Sequence, residues 1–133
     1  MKEIGRTSNV TQKMTDLIFE NDHKGISVAD NAGTKVQVDA FVLYQKDPIK
    51  DKSDDLVLKF WDVEGQDWYA GSQVFIKSFM RMIKERIDMS TDLLPEPMEI
   101  TITATKSSKG FTYYNIAEAP KAQPSKAWLD MEW

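Results

Sequence analysis

The sequence predicts a mainly β domain with one α-helix, of mixed β and α class, with a barrel-like curl. Two observations carry this. Apolar and polar side chains alternate along several short stretches rich in β-branched and aromatic residues, separated by Gly, Asn, Asp and Pro turns. Only one stretch, that of Phe75, Phe79, Met82, Ile83 and Ile87, repeats its apolar residues every three or four positions over a helix-sized window.

Taken in order, residues 1–12 are polar and carry no sustained period, and Met14, Leu17, Ile18 and Phe19 form a short apolar cluster. Asn21–Gly25 and Asp30–Gly33 read as turns. Thr34 to Tyr44 reads as a long strand. Val36, Val38, Ala40 and Val42 fall on one face, while Gln37, Asp39, Phe41 and Leu43 pass from polar to apolar on the other, the mark of a strand that bends or enters a core. Gln45 to Asp55, with Pro48 and alternating charges, reads as a solvated loop. Leu56–Trp61 and Asp67–Ala70 form a hairpin about Asp62–Gln66. Ser72 is placed to cap the helix, which is expected to stop near Ser90, before Pro95 and Pro97. Met98–Thr105 and Phe111–Ala117 form a second hairpin about Lys106–Gly110. The expected organisation is an N-terminal segment over 1–33, partly irregular, a domain over 34–117, and a flexible acidic and aromatic tail over 118–133.

Composition narrows function. At 133 residues the chain suits one domain. It contains no Cys and a single His, so thiolate metal sites, cysteine nucleophiles and histidine pairs are excluded. No apolar run is long enough for a membrane span and the N-terminus lacks a signal-peptide core, so a cytoplasmic location is expected. A formal net charge of -4 argues against broad attraction to duplex DNA, so a nucleic-acid site must be local.

The two hairpins place basic and aromatic residues together: Lys59 and Trp61 on one, Lys106, Lys109, Phe111 and Tyr113 on the other. Single-stranded nucleic acid uses this mixture, with bases stacked on rings and cations along the backbone. The plain alternative is that Trp61, Phe111 and Tyr113 fill the core. Lys77, Arg81 and Lys84 make a cationic stripe on the helix, read as its solvated face. Asp54, Asp55, Asp62, Glu64 and Asp67 crowd one hairpin, yet acidic residues ordinarily solvate turns and no metal-loop or nucleophile motif accompanies them. In the tail, Trp128, Leu129, Met131 and Trp133 alternate with or flank Asp130 and Glu132, a pattern suited to docking in a basic, apolar groove, either on a partner or on the domain itself.

Three segments resemble the small OB-fold single-stranded DNA-binding proteins of bacteriophages and conjugative plasmids of Gram-positive bacteria. They are Val38–Leu43, Gly65–Ile76 leading into the helix, and Lys106–Tyr113 in the last hairpin. The resemblance covers about residues 34–117 and implies a five-stranded OB-like barrel that binds single-stranded DNA, with a tail that recruits replication or recombination proteins. The expectation is a non-enzymatic single-stranded DNA-binding protein that needs no cofactor or metal, with homo-oligomerisation left open. The alternatives are a protein-interaction adaptor of a mobile element and, behind it, a metal-dependent nuclease.

Overall fold

The computed structural model describes residues 2–14, 25–45 and 56–118. Among the described residues seven strands and one main helix follow in the order β1 (Lys2–Arg6), β2 (Ile26–Ser27), β3 (Lys35–Gln45), β4 (Leu56–Asp62), β5 (Asp67–Ala70), α1 (Gln73–Arg86), β6 (Met98–Lys106) and β7 (Thr112–Glu118). All strands join one sheet in the order β2-β5-β4-β3-β6-β7, with β1 also paired to β3. The sheet is curled into a half-barrel.

The curl originates in β3. Val38 lies opposite Asp62 while Ala40 lies opposite Trp61, so Asp39 is an extra residue in the ladder. Such a bulge bends its strand and reverses the side-chain phase beyond it. Val36 and Val38 enter the main core, and after the bulge Phe41 and Leu43 do so, whereas Ala40, Val42 and Tyr44 build a second cluster with Val10. The expectation that Val36, Val38, Ala40 and Val42 share one face is thereby corrected at Asp39. The bend also lets β3 serve two neighbours along its second edge: Lys35–Val38 pair with β6, and Val42–Gln45 pair with β1.

The main core lies between the concave sheet and α1. Phe60 of β4 is at its centre, stacked on Trp68 at 5.9 Å and 7° and close to Phe79 at 5.3 Å. Phe75, Ile76, Phe79, Met82 and Ile83 supply the helix face. Each fully buried aliphatic or aromatic side chain contributes about 1.5–3 kcal/mol by leaving water. The helix starts as expected, with Ser72 Oγ accepting from the Phe75 amide. The same hydroxyl donates to the Tyr114 carbonyl at 3.3 Å and so ties the β5–α1 junction to β7.

Three features differ from expectation. The helix ends at Arg86, short of Ser90, because Ile87 is extended and the Asp88 carboxylate takes the Ser90 amide and hydroxyl at 2.9 and 2.7 Å. A short acidic side chain that bonds its own downstream backbone competes with helix continuation. The Ser90 hydroxyl, then its amide, hold the Asp88 carboxyl below the usual value. The N-terminal residues 2–6, expected as loose chain, form β1, whose pairing with β3 shifts register between Glu3 and Gly5. Thr7 then locks onto β3: its amide donates to the Phe41 carbonyl at 3.0 Å and its hydroxyl accepts from the Phe41 amide at 3.1 Å. Finally, Ile26 and Ser27 pair in parallel with β5. Gly25, just before them, has φ +111, and a Cβ there would sit 2.7 Å from the Asp67 carbonyl oxygen. The close approach of β2 to β5 therefore requires glycine.

Candidate nucleic-acid interface

The β6–β7 hairpin is built to hold a rigid, projecting tip. Gly110 donates to the Ser107 carbonyl at 3.0 Å, Ser107 donates to the Phe111 carbonyl at 2.8 Å, and the Ser107 hydroxyl accepts from the Phe111 amide at 3.2 Å. Gly110 has φ +84, which closes the turn at a position where other residues would be strained. Toward the base of the hairpin, Ile102 lies opposite Ile116, and both are buried in the main core. The tip outruns that core, so the same alternation that buries residues below exposes them above.

Phe111 closes the turn just before β7, and Tyr113 is the second residue of that strand, two positions on. They are 62% and 48% exposed, which places both rings in solvent. Large aromatic rings seldom stand bare in pairs, and two of them a strand step apart, ~7 Å along the chain, match the reach between successive bases in an extended strand. Lys109 is exposed in the turn, and Lys106, also exposed, lies opposite Thr112 and hence on the other face of the ribbon from Tyr113. Tyr114, partly buried, turns away from Tyr113, toward the face that carries Ile102 and Ile116. Four of the residues expected to bind nucleic acid are thus brought together on one exposed tip.

Lys59 and Trp61 are placed elsewhere. Lys59 is 2% exposed, and its Nζ lies 2.7 Å from Asp67 Oδ2. Its expected role against a phosphate is corrected by this burial. The segment after β1 runs over the convex face of β3 and β4, and Trp61 packs there against the cluster of Val10, Ala40, Val42 and Tyr44. From β4 alone, Lys59 and Trp61 look like surface residues; the N-terminal segment that packs near Trp61 had no periodicity to announce it.

Asp62 and Asp67 of the β4–β5 hairpin hold structure, Asp67 through Lys59. Asp62 accepts from the amides of Glu64 and Gln66 at 2.9 and 3.0 Å and from the Trp68 indole at 3.0 Å. Among the described residues no group of three or more potential ligands converges on a metal position. Asp54 and Asp55, and the tail residues Trp128, Leu129, Met131 and Trp133, lie outside the described residues.

A second surface feature went unread in the sequence. Ile4, at the register shift of β1, lines an open groove of about 700 Å³ together with Leu43 and with Val74 and Met80 of α1. Lys77, Arg81 and Lys84 stand at its helix side. The signal available was Val74, an apolar residue beside the main helical stripe, but without β1 it had no counterpart. No helix among the described residues is long and apolar enough to cross a membrane. No protein-family model matches the chain, and neither a curated protein nor a solved structure gives a match.

Proposed function

We propose that the chain is a single-stranded DNA-binding protein that works without chemistry, through the β6–β7 tip. The observation that carries the reading is the pair of exposed rings, Phe111 and Tyr113, flanked by Lys106 and Lys109 on an otherwise acidic molecule. Each stacked base contributes about 1–3 kcal/mol, and the lysines add a local, salt-dependent attraction.

The sheet order supports an OB-like reading. Strands β5-β4-β3-β6-β7 follow one another across the sheet, with β3 long and bent and α1 between β5 and β6. That order is the one expected if these strands correspond to the five of an OB barrel, and the loop joining the last two strands of such barrels is a common ligand contact. On this assignment the aromatic tip is that loop. The setting suggested by the sequence resemblance, replication, recombination or transfer of phage or mobile-element DNA, belongs to the same proposal.

The test is fluorescence anisotropy of labelled oligo(dT) titrated with the full chain at two salt concentrations, with EDTA present and a duplex as control. Binding to the single strand alone that weakens steeply with salt is the expected result. Absence of binding at low salt overturns the proposal.

A further inference from the structure

The groove beside α1 has an apolar floor of Ile4, Leu43, Leu56, Val74 and Met80, and a rim of Lys77, Arg81 and Lys84. Ile4 and Val74 are 52% and 42% exposed, among the most exposed large apolar residues described. Among the described residues no Asp or Glu lines it. A volume near 700 Å³ is that of a site for a few large side chains. On a chain of net charge -4, an apolar trough with only cations at its edge calls for an occupant that is apolar and acidic together.

The chain itself carries such a segment. Ala127–Trp133 contains Trp128, Leu129, Met131 and Trp133 interleaved with Asp130 and Glu132, and no base. We propose that this C-terminal segment docks in the α1 groove of its own domain, with its apolar side chains on the floor and Asp130 and Glu132 against Lys77, Arg81 and Lys84.

Chain length permits it. Glu118, the last residue of β7, lies opposite Ile100, which lies opposite Val36, so the chain leaves the sheet near the start of β3. From Val36 to Leu43, beside the groove, is seven residues of strand, ~23 Å. Residues 119–127 span up to ~30 Å when extended, enough to cover that distance. The other apolar stretch outside the described residues, Leu17–Phe19, follows Met14, which packs on the opposite face of the sheet with Val10 and Tyr44. The tail combines the apolar and acidic character that suits the groove and starts within reach of it. This docking stands independently of what the β6–β7 tip binds.

The sequence has no Cys, so engineered pairs report without background. The full chain carrying Val74→Cys with Leu129→Cys is oxidised mildly and followed by mass and non-reducing electrophoresis. The control pairs Leu129→Cys with Val63→Cys, at an exposed residue whose amide bonds Gln37 next to Val36, so Val63 sits nearer the point where the tail departs. A docked tail closes the Val74 pair within one molecule about tenfold faster than the control pair, since docking raises effective concentration. Adding Arg81→Glu and Lys84→Glu is expected to slow it to the control rate, and adding Asp130→Lys and Glu132→Lys as well is expected to restore it. Equal rates for the two pairs, or disulfides found only in dimers, overturn the proposal.

Discussion

Two patches of this molecule are written in the same residues and have opposite fates. On β4, Lys59 is buried with Asp67 and Trp61 packs against the cluster of the N-terminal Val10; on the β6–β7 tip, Lys106, Lys109, Phe111 and Tyr113 stand in solvent. Basic and aromatic residues on alternate strand positions therefore do not by themselves mark a binding surface. What separates the two patches is cover. The convex face of β3 and β4 is roofed by Val10 and Met14, while the β6–β7 ribbon runs past the edge of the core that buries Ile102 and Ile116.

The comparison is sharpened most by substitution in the core behind the covered patch. Trp68→Ala removes a ring stacked on Phe60 and strands the Asp62 Oδ2 acceptor. It is expected to cost about 3–5 kcal/mol in chemical denaturation. Tyr113→Ala and Phe111→Ala are expected to leave stability unchanged within about 0.5 kcal/mol. Should either destabilise the fold as Trp68→Ala does, the distinction between a covered and an exposed aromatic patch collapses.

The second effect is on binding and runs the other way. Removing one stacking ring of the tip is expected to weaken oligo(dT) binding by about 1–3 kcal/mol, roughly 5- to 150-fold. Trp61→Ala, measured by anisotropy at a concentration where the variant is folded, is expected to bind like the parent chain, and a loss equal to that of Tyr113→Ala would return Trp61 to the interface.

A third effect, of similar size, tests the buried ion pair. Asp67→Ala removes one carboxylate partner of the buried Lys59 ammonium and is expected to cost about 1–3 kcal/mol by denaturation, with Lys59→Met costing less because a similar-sized apolar stem replaces the charge. If Lys59→Met instead weakens DNA binding with stability intact, Lys59 reaches ligand by some motion that uncovers it.

Much of this architecture was legible because most elements carry their own local period. The alternation in Leu56–Trp61 and Met98–Thr105, the three-and-four spacing after Ser72, and the turn at Gly110 all act over a few residues, and each appears in the structure, the helix starting at its expected cap and ending one turn early. What was not legible depends on partners distant in sequence. β1 holds one large apolar residue, Ile4, and a register shift, and it is a strand only because bent β3 offers an edge at Val42–Gln45. The two-residue β2 exists through β5 and the room left by Gly25. The phase change at Asp39 is a property of the ladder with β4, invisible in β3 alone. The site was divided for the same reason: the tip sits beyond the core and keeps its local character, whereas Trp61 packs against a cluster that includes Val10, some fifty residues earlier in the chain, and Lys59 is buried with Asp67 of the next strand.

The smallest effect concerns the lysines of the tip, and it separates their contribution from that of the rings. Each cation that neutralises a phosphate of a single strand adds about 0.7 to the slope of log affinity against log salt. Lys109→Ala, at an exposed turn with its backbone fixed by Ser107 and Gly110, is expected to lower that slope by about one such increment while leaving high-salt affinity nearly unchanged. Lys106→Ala lies on the opposite ribbon face from Tyr113, so its effect reads the path of the strand. A slope reduced by both substitutions means the backbone wraps the ribbon; a slope reduced by Lys109→Ala alone means the strand passes over the aromatic face and the turn. In either case Lys59→Met is expected to leave the slope as it was, because a buried ammonium held by Asp67 has no counterion to release.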